Sequence, residues 1–156
     1  KSELLLYTTL VHIGNQEYKV AKKYISNAII DHNIKYLPLM RTIRLVRLIV
    51  FYEVQEHELI QYESRSITRS LSSPKEQTFK TERIILWFLN KRNIPILKKD
   101  REAFWEKLSP EIHELYNNKY ESQLLRLFDF TAWMESKIRK EKLSEVLRAR
   151  TSAKEC

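Results

Sequence analysis

One glycine in 156 residues is the most informative scarcity in this chain. Tight hairpins between strands rely on glycine for backbone conformations that other residues resist. A phosphate-cradling loop needs several glycines within a few residues. The chain therefore has the means for neither a hairpin-rich sheet nor a phosphate loop. Cysteine is equally scarce: Cys156, the last residue, stands alone, so no internal disulfide can form and nothing points to an oxidising compartment. It also has no local His partner, so a nucleophilic role finds no support. No apolar run approaches the ~18 residues of a membrane span, and no signal peptide is visible. Acidic residues are missing from a whole segment, since none lies between Asp31 and Glu53.

What remains is rich in Leu, Lys, Glu, Arg and Ile, all good helix formers. The hydrophobic fraction of 43% against 31% charged residues is that of a folded chain. At this length roughly 70% of the unfolded surface can be buried. The expected fold class is all-α. Net charge is +8, divided as +5 over residues 1–50, +2 over 51–100 and +1 over the rest. The excess thus sits where the acids are missing.

Apolar spacing predicts a first helix from Ser2 to Ile13, stopped by Gly14 and Asn15, and a second from Glu17 to Ile30. Pro38 suits the first turn of a third helix over 37–54. A fourth follows over 57–72, ended by Ser72–Ser73–Pro74, and a fifth over 76–92. Asn93 to Lys99 reads as a loop. Asp100 is placed to cap a helix to Leu108, and Ser109–Pro110 to start a short one to Asn118. The last helix, 119–149, is the longest, with Glu135 and Arg139 paired one turn apart. Grouped in pairs, these form hairpins over about 2–31, 36–72 and 76–118, closed by the last helix, within a single domain spanning 1–156. A period of this size is that of stacked helical hairpins.

The first hairpin carries Gly14 in its turn, Tyr18 after it, and Ala21 and Ala28 seven apart on its second helix. In these features it resembles a tetratricopeptide (TPR) unit, although the turn GNQE is longer than the family's. The second hairpin has Gln55 where a turn glycine would be expected. The segments FYEVQEHELIQYESRSITRSL (51–71), TERIILWFLNK (81–91) and LFDFTAWMESKI (127–138) extend the resemblance to TPR-like bacterial proteins of Bacteroidetes type, in their C-terminal part. The resemblance implies a superhelix of helical hairpins and a protein-binding scaffold. It implies no reaction, so the chain is read as no enzyme, with no cofactor, in the cytoplasm, and as a piece of a longer protein.

The residues agree with that absence of chemistry. His57 and His113 each open an HE dipeptide, but a zinc helix needs a second His four residues on, and those positions hold Gln61 and Asn117. Carboxylates at helical spacing, Glu53 with Glu56 and Glu102 with Glu106, read as solvated faces. Trp87–Phe88 and FDFTAW (128–133) read as packing aromatics. Asp129 among them suits a structural hydrogen bond.

Arg41, Arg44 and Arg47 fall within about 120° of arc on a helix apolar elsewhere, with Leu48 and Phe51 beside them. Internal pairing with Glu53, Glu63 or acids of other helices is one expectation. The other is a concave peptide-binding strip made by Arg41, Arg44, Arg47, Leu48 and Phe51, suited to a protein or acidic peptide because guanidinium pairs bidentately with carboxylate. Nucleic acid is a less favoured partner, since basic residues are not interleaved with aromatics and no DNA-binding motif is present. A purely structural or oligomerising role is the third class.

Overall fold

The computed structural model describes residues 1–28, 37–71, 79–90 and 94–154. Among these residues there is no strand, and nine helices follow one another: α1 (Ser2–Gly14), α2 (Tyr18–Ser26), α3 (Leu37–Glu53), α4 (His57–Leu71), α5 (Lys80–Asn90), α6 (Lys98–Asn117), α7 (Lys119–Leu127), α8 (Phe130–Arg139) and α9 (Leu143–Lys154). The fold is all-α. The expected helix ends at Ile30 and at residue 92, the break at Ser72–Pro74, and Cys156 lie outside the described residues. None of the described helices is long and apolar enough to cross a membrane. The helices fall into two compact units, Lys1–Glu82 and Arg83–Cys156.

In the first unit α1 packs on α2, α2 on α3 and α3 on α4. The turns that join the pairs are made alike. In the α1–α2 turn the amide of Gln16 donates to Ile13 O (3.0 Å) and that of Glu17 to His12 O (2.8 Å). In the α3–α4 turn Gln55 donates to Tyr52 O (3.1 Å) and Glu56 to Phe51 O (2.9 Å). Each bond has its counterpart 39 residues on. Gln16 and Gln55 both sit in the left-handed region, at φ 62°. That conformation costs a side-chain-bearing residue about 1–2 kcal/mol, offset here by satisfying carbonyls that the helix end leaves open.

This corrects the expectation that Gly14 and Asn15 supply the turn. Gly14 is the last residue of α1, Asn15 has φ −83°, and glutamine takes the left-handed position in both hairpins. The same register aligns the cores. Leu6, Thr9, Ala21, Ile25 and Ala28 are buried, as are Leu45, Leu48, Ile60, Ser64 and Ile67, 39 positions later.

The second unit departs most from the expected helices. Pro110 does not begin a helix: α6 runs through it, and neither Asp100 nor Ser109 is an N-cap. Trp105, Leu108, Ile112 and Leu115 form one buried stripe across the proline. Their packing outweighs a lost backbone bond and a ring clash of about 3 kcal/mol. The long last helix over 119–149 is replaced by α7, α8 and α9. Asn118 caps α7 by accepting from the amides of Tyr120 (2.9 Å) and Glu121 (3.3 Å). Phe128 is extended, Asp129 caps α8 by accepting from Ala132 N (3.0 Å), and Lys140 ends α8 at φ 59°. Seven of the ten α8 residues are buried, with Trp133 1% exposed and its ring nearly perpendicular to that of Phe88, the ring centres 5.6 Å apart.

Candidate functional site

Helix α3 is apolar on almost every side because it is covered on almost every side. Ile43, Leu45, Val46, Leu48, Ile49 and Val50 are all fully buried. Its arginines must therefore leave along the few directions where a polar partner waits. Arg41 donates to Glu82 Oε2 of α5 at 2.9 Å, with side-chain exposures of 6% and 5%, and its guanidinium lies 4.8 Å from the centre of the Phe79 ring. Arg44 reaches α4, with Nε 3.5 Å from Glu63 Oε1 and Nη2 3.1 Å from Ser66 Oγ. Arg47 Nη2 donates to the carbonyls of Ile25 (3.3 Å) and Ala28 (2.8 Å) at the end of α2. Burial lowers the pKa of its guanidinium, against the pull of Glu63.

The structure thus does not bring Arg41, Arg44, Arg47, Leu48 and Phe51 together as an open strip. Leu48 is sealed, Phe51 is buried, and the three arginines point to three different helices. Internal pairing describes what they do. Arg44 with Glu63 matches one of the pairs expected from sequence, while Glu82 and the α2 carbonyls are partners that spacing could not show.

An open surface with mixed chemistry lies instead in the second unit. A cleft of about 620 Å³ opens between α6, α8 and α9, with Trp105, Ile112 and Leu147 as apolar wall and His113, Tyr116 and Arg150 as polar wall. Arg150 organises it. Its Nη1 donates to Tyr116 Oη (2.8 Å), Thr131 Oγ1 (2.7 Å) and Asp129 Oδ2 (3.1 Å); Nη2 and Nε donate to Glu135 Oε2 at 2.6 and 3.0 Å. The guanidinium also lies 5.8 Å from the centre of the Trp105 ring. Glu135 takes a second cation, Arg139 Nε, at 3.0 Å, as its spacing predicts. Tyr116 in turn donates to Asp129 Oδ1 at 2.8 Å. Asp129 is therefore a structural acceptor as expected, serving the hydroxyls of Tyr116 and Thr131, a backbone amide and a guanidinium at once.

The electrostatics of this cluster are settled at neutral pH. Burial, joined by the Asp129 charge, pushes the Tyr116 phenol up to about 12, so it stays a donor. Burial alone would lower the Arg150 guanidinium, but Asp129, Glu135 and Tyr116 together raise it. Two carboxylates and two guanidiniums balance. Of the two histidines that open HE dipeptides, His57 is exposed, and exposed His113 sits 2.8 Å from Ser109 O through Nδ1. No group of three or more metal-ligating side chains occurs among the described residues.

Sequence reasoning passed over Arg150, which lies beyond the end expected for the last helix. The available cue was Asp129 itself. An Asp just ahead of an apolar run is a helix-start signal, and a chain that turns there can bring residue 150 back to residue 129. Compared with family models, with known proteins and with solved structures, the chain matches none.

Proposed function

We propose that this chain is a non-catalytic, TPR-like scaffold of helical hairpins whose task is to hold a peptide segment of a partner protein, and that the cleft of the second unit receives it. The observation that carries the reading is the cleft itself: an open volume of about 620 Å³ with an apolar wall beside hydrogen-bonding groups of fixed protonation. A volume of this size suits a few side chains. Tyr116 and Arg150 change charge far from neutral pH, which favours recognition over proton transfer. The repeated hairpin turn of the first unit supports the scaffold part of the reading.

The segment it fits is apolar rather than acidic. Arg150 already faces Asp129 and Glu135, so a carboxylate arriving in the cleft would meet a cation whose charge is matched. Leu147, partly exposed at the cleft, supplies the apolar contact that affinity depends on, beside the nearly buried Trp105 and Ile112. Peptides selected from a random display library against the whole chain test this. Titration of a selected peptide should alter tryptophan fluorescence, and Leu147→Glu should weaken binding by about tenfold or more while leaving the melting temperature unchanged, because Leu147 is partly exposed. Selected peptides with an acidic rather than apolar consensus, or peptides indifferent to Leu147→Glu, would sink the assignment.

A further inference from the structure

The 39-residue register of the first unit identifies what an uncovered face of α1 is shaped for. On α3, Ile43, Val46, Arg47 and Val50 lie at i, i+3, i+4 and i+7 and so form one face. Ile43, Val46 and Val50 are 0% exposed. Arg47 reaches from this face to the carbonyls of Ile25 and Ala28, which places the preceding hairpin, through α2, over it. The same positions on α1 are Leu4, Tyr7, Thr8 and Val11. Here Leu4 is 70% exposed, Tyr7 46% and Val11 62%. Two faces equivalent by turn geometry and by core register thus have opposite fates: one is covered by a hairpin and the other is bare.

Charge extends the equivalence. Where α2 covers the second hairpin, Lys22 Nζ meets Glu56 Oε1 at 2.5 Å. The counterpart of Glu56 is Glu17, identical in type and in its place in the turn, and its side chain is half exposed, held at one oxygen by His12 at 2.6 Å. A helix seated on α1 as α2 is seated on α3 would bring a lysine to Glu17.

We propose that Leu4, Tyr7, Thr8 and Val11 form a stacking surface for another helical hairpin of the same build, one whose second helix carries small and apolar residues at the positions of Ala21, Ile25 and Ala28 and a cation at the position of Lys22. This stands apart from the cleft reading, since it concerns the first unit and rests on the register alone. The face is a docking site for a repeat rather than for an extended peptide.

The experiment adds such a hairpin. A second copy of residues 1–39 is joined ahead of Lys1 of the whole chain. The inner copy carries Val11→Cys, and Cys156→Ser leaves that thiol as the sole one. The unextended chain with the same two substitutions gives the reference rate of thiol labelling. The added hairpin should slow labelling by about tenfold or more, as expected for a group that becomes accessible only on local opening. Lys22→Glu in the added copy, which sets like charges at Glu17, should return most of that rate. Labelling at the reference rate in the extended chain, whether or not the added copy folds, overturns the proposal. Labelling of the unextended chain that slows with protein concentration would assign the face to a second copy of the chain and overturn it as well.

Discussion

Arg41 and Glu82 lock together at 2.9 Å with almost no exposure, 41 residues apart in sequence. Their contact explains why an arginine can sit in the most apolar helix of the chain. A buried charge is tolerable only with a partner of opposite sign, and each supplies one to the other. Arg41→Ala is expected to lower stability by about 3–5 kcal/mol, because it removes a buried cation that pairs with the Glu82 carboxylate. The double substitution Arg41→Leu with Glu82→Leu should recover most of that loss. Denaturant melts of the two variants check this, and a double variant no better than the single one would show that the pair does not act as a unit.

The left-handed glutamine turn has a direct test. Gly14 is helical, and a Cβ added to it would meet nothing within 4 Å. Gly14→Ala should therefore stabilise by about 0.5–1 kcal/mol through helix propensity. Gln16→Gly should also stabilise, by relieving the left-handed strain at φ 62°. A drop in melting temperature for Gly14→Ala would restore Gly14 as the turn residue.

Tyr116 should make stability fall in strong alkali. Its pKa rises from 10.0 to about 12 on folding, chiefly by burial, so the folded chain holds that proton more tightly than the unfolded one. The stability this contributes is complete below pH 10 and is lost as pH climbs towards 12. Tyr18, also pushed up to about 12 by burial and then by Glu53, adds to the same slope. Tyr116→Phe should flatten the decline between pH 10 and 12 and remove one late component from the ultraviolet titration of tyrosinate. An unchanged late component would place the Tyr116 hydroxyl in water.

Trp133 is the largest fully buried side chain of the second unit, with the Phe88 ring in a T-shaped contact with it. Trp133→Ala should cost about 3–5 kcal/mol, the range for truncating a large buried aromatic. Thermal melting followed by circular dichroism reads this. A shift of only a degree or two would mean that α8 does not anchor the unit.

Sequence by itself determined the fold class, and it did so through local chemistry. A single glycine and apolar residues at helical spacing leave the backbone only helix as a way to bury its side chains and satisfy its amides. The starts of α1, α3 and α4 follow from the same local rules. Periodicity also showed that α3 is apolar nearly all round and hence covered, and the Glu135–Arg139 pair needed only one helical turn to be foreseen. Tertiary structure alone decided where the arginines go, because Arg41 and Arg47 find partners on other helices whose approach no local pattern encodes. It decided that α6 passes through Pro110, since a stripe packed along its length outweighs one lost backbone bond. It decided that Gln16 and Gln55 take the left-handed turns, their strain offset by the helix-end hydrogen bonds they complete. And it made the cleft around Arg150, which exists only because the chain turns at Asp129 and again at Lys140, carrying α9 back to within a hydrogen bond of α6 and α8.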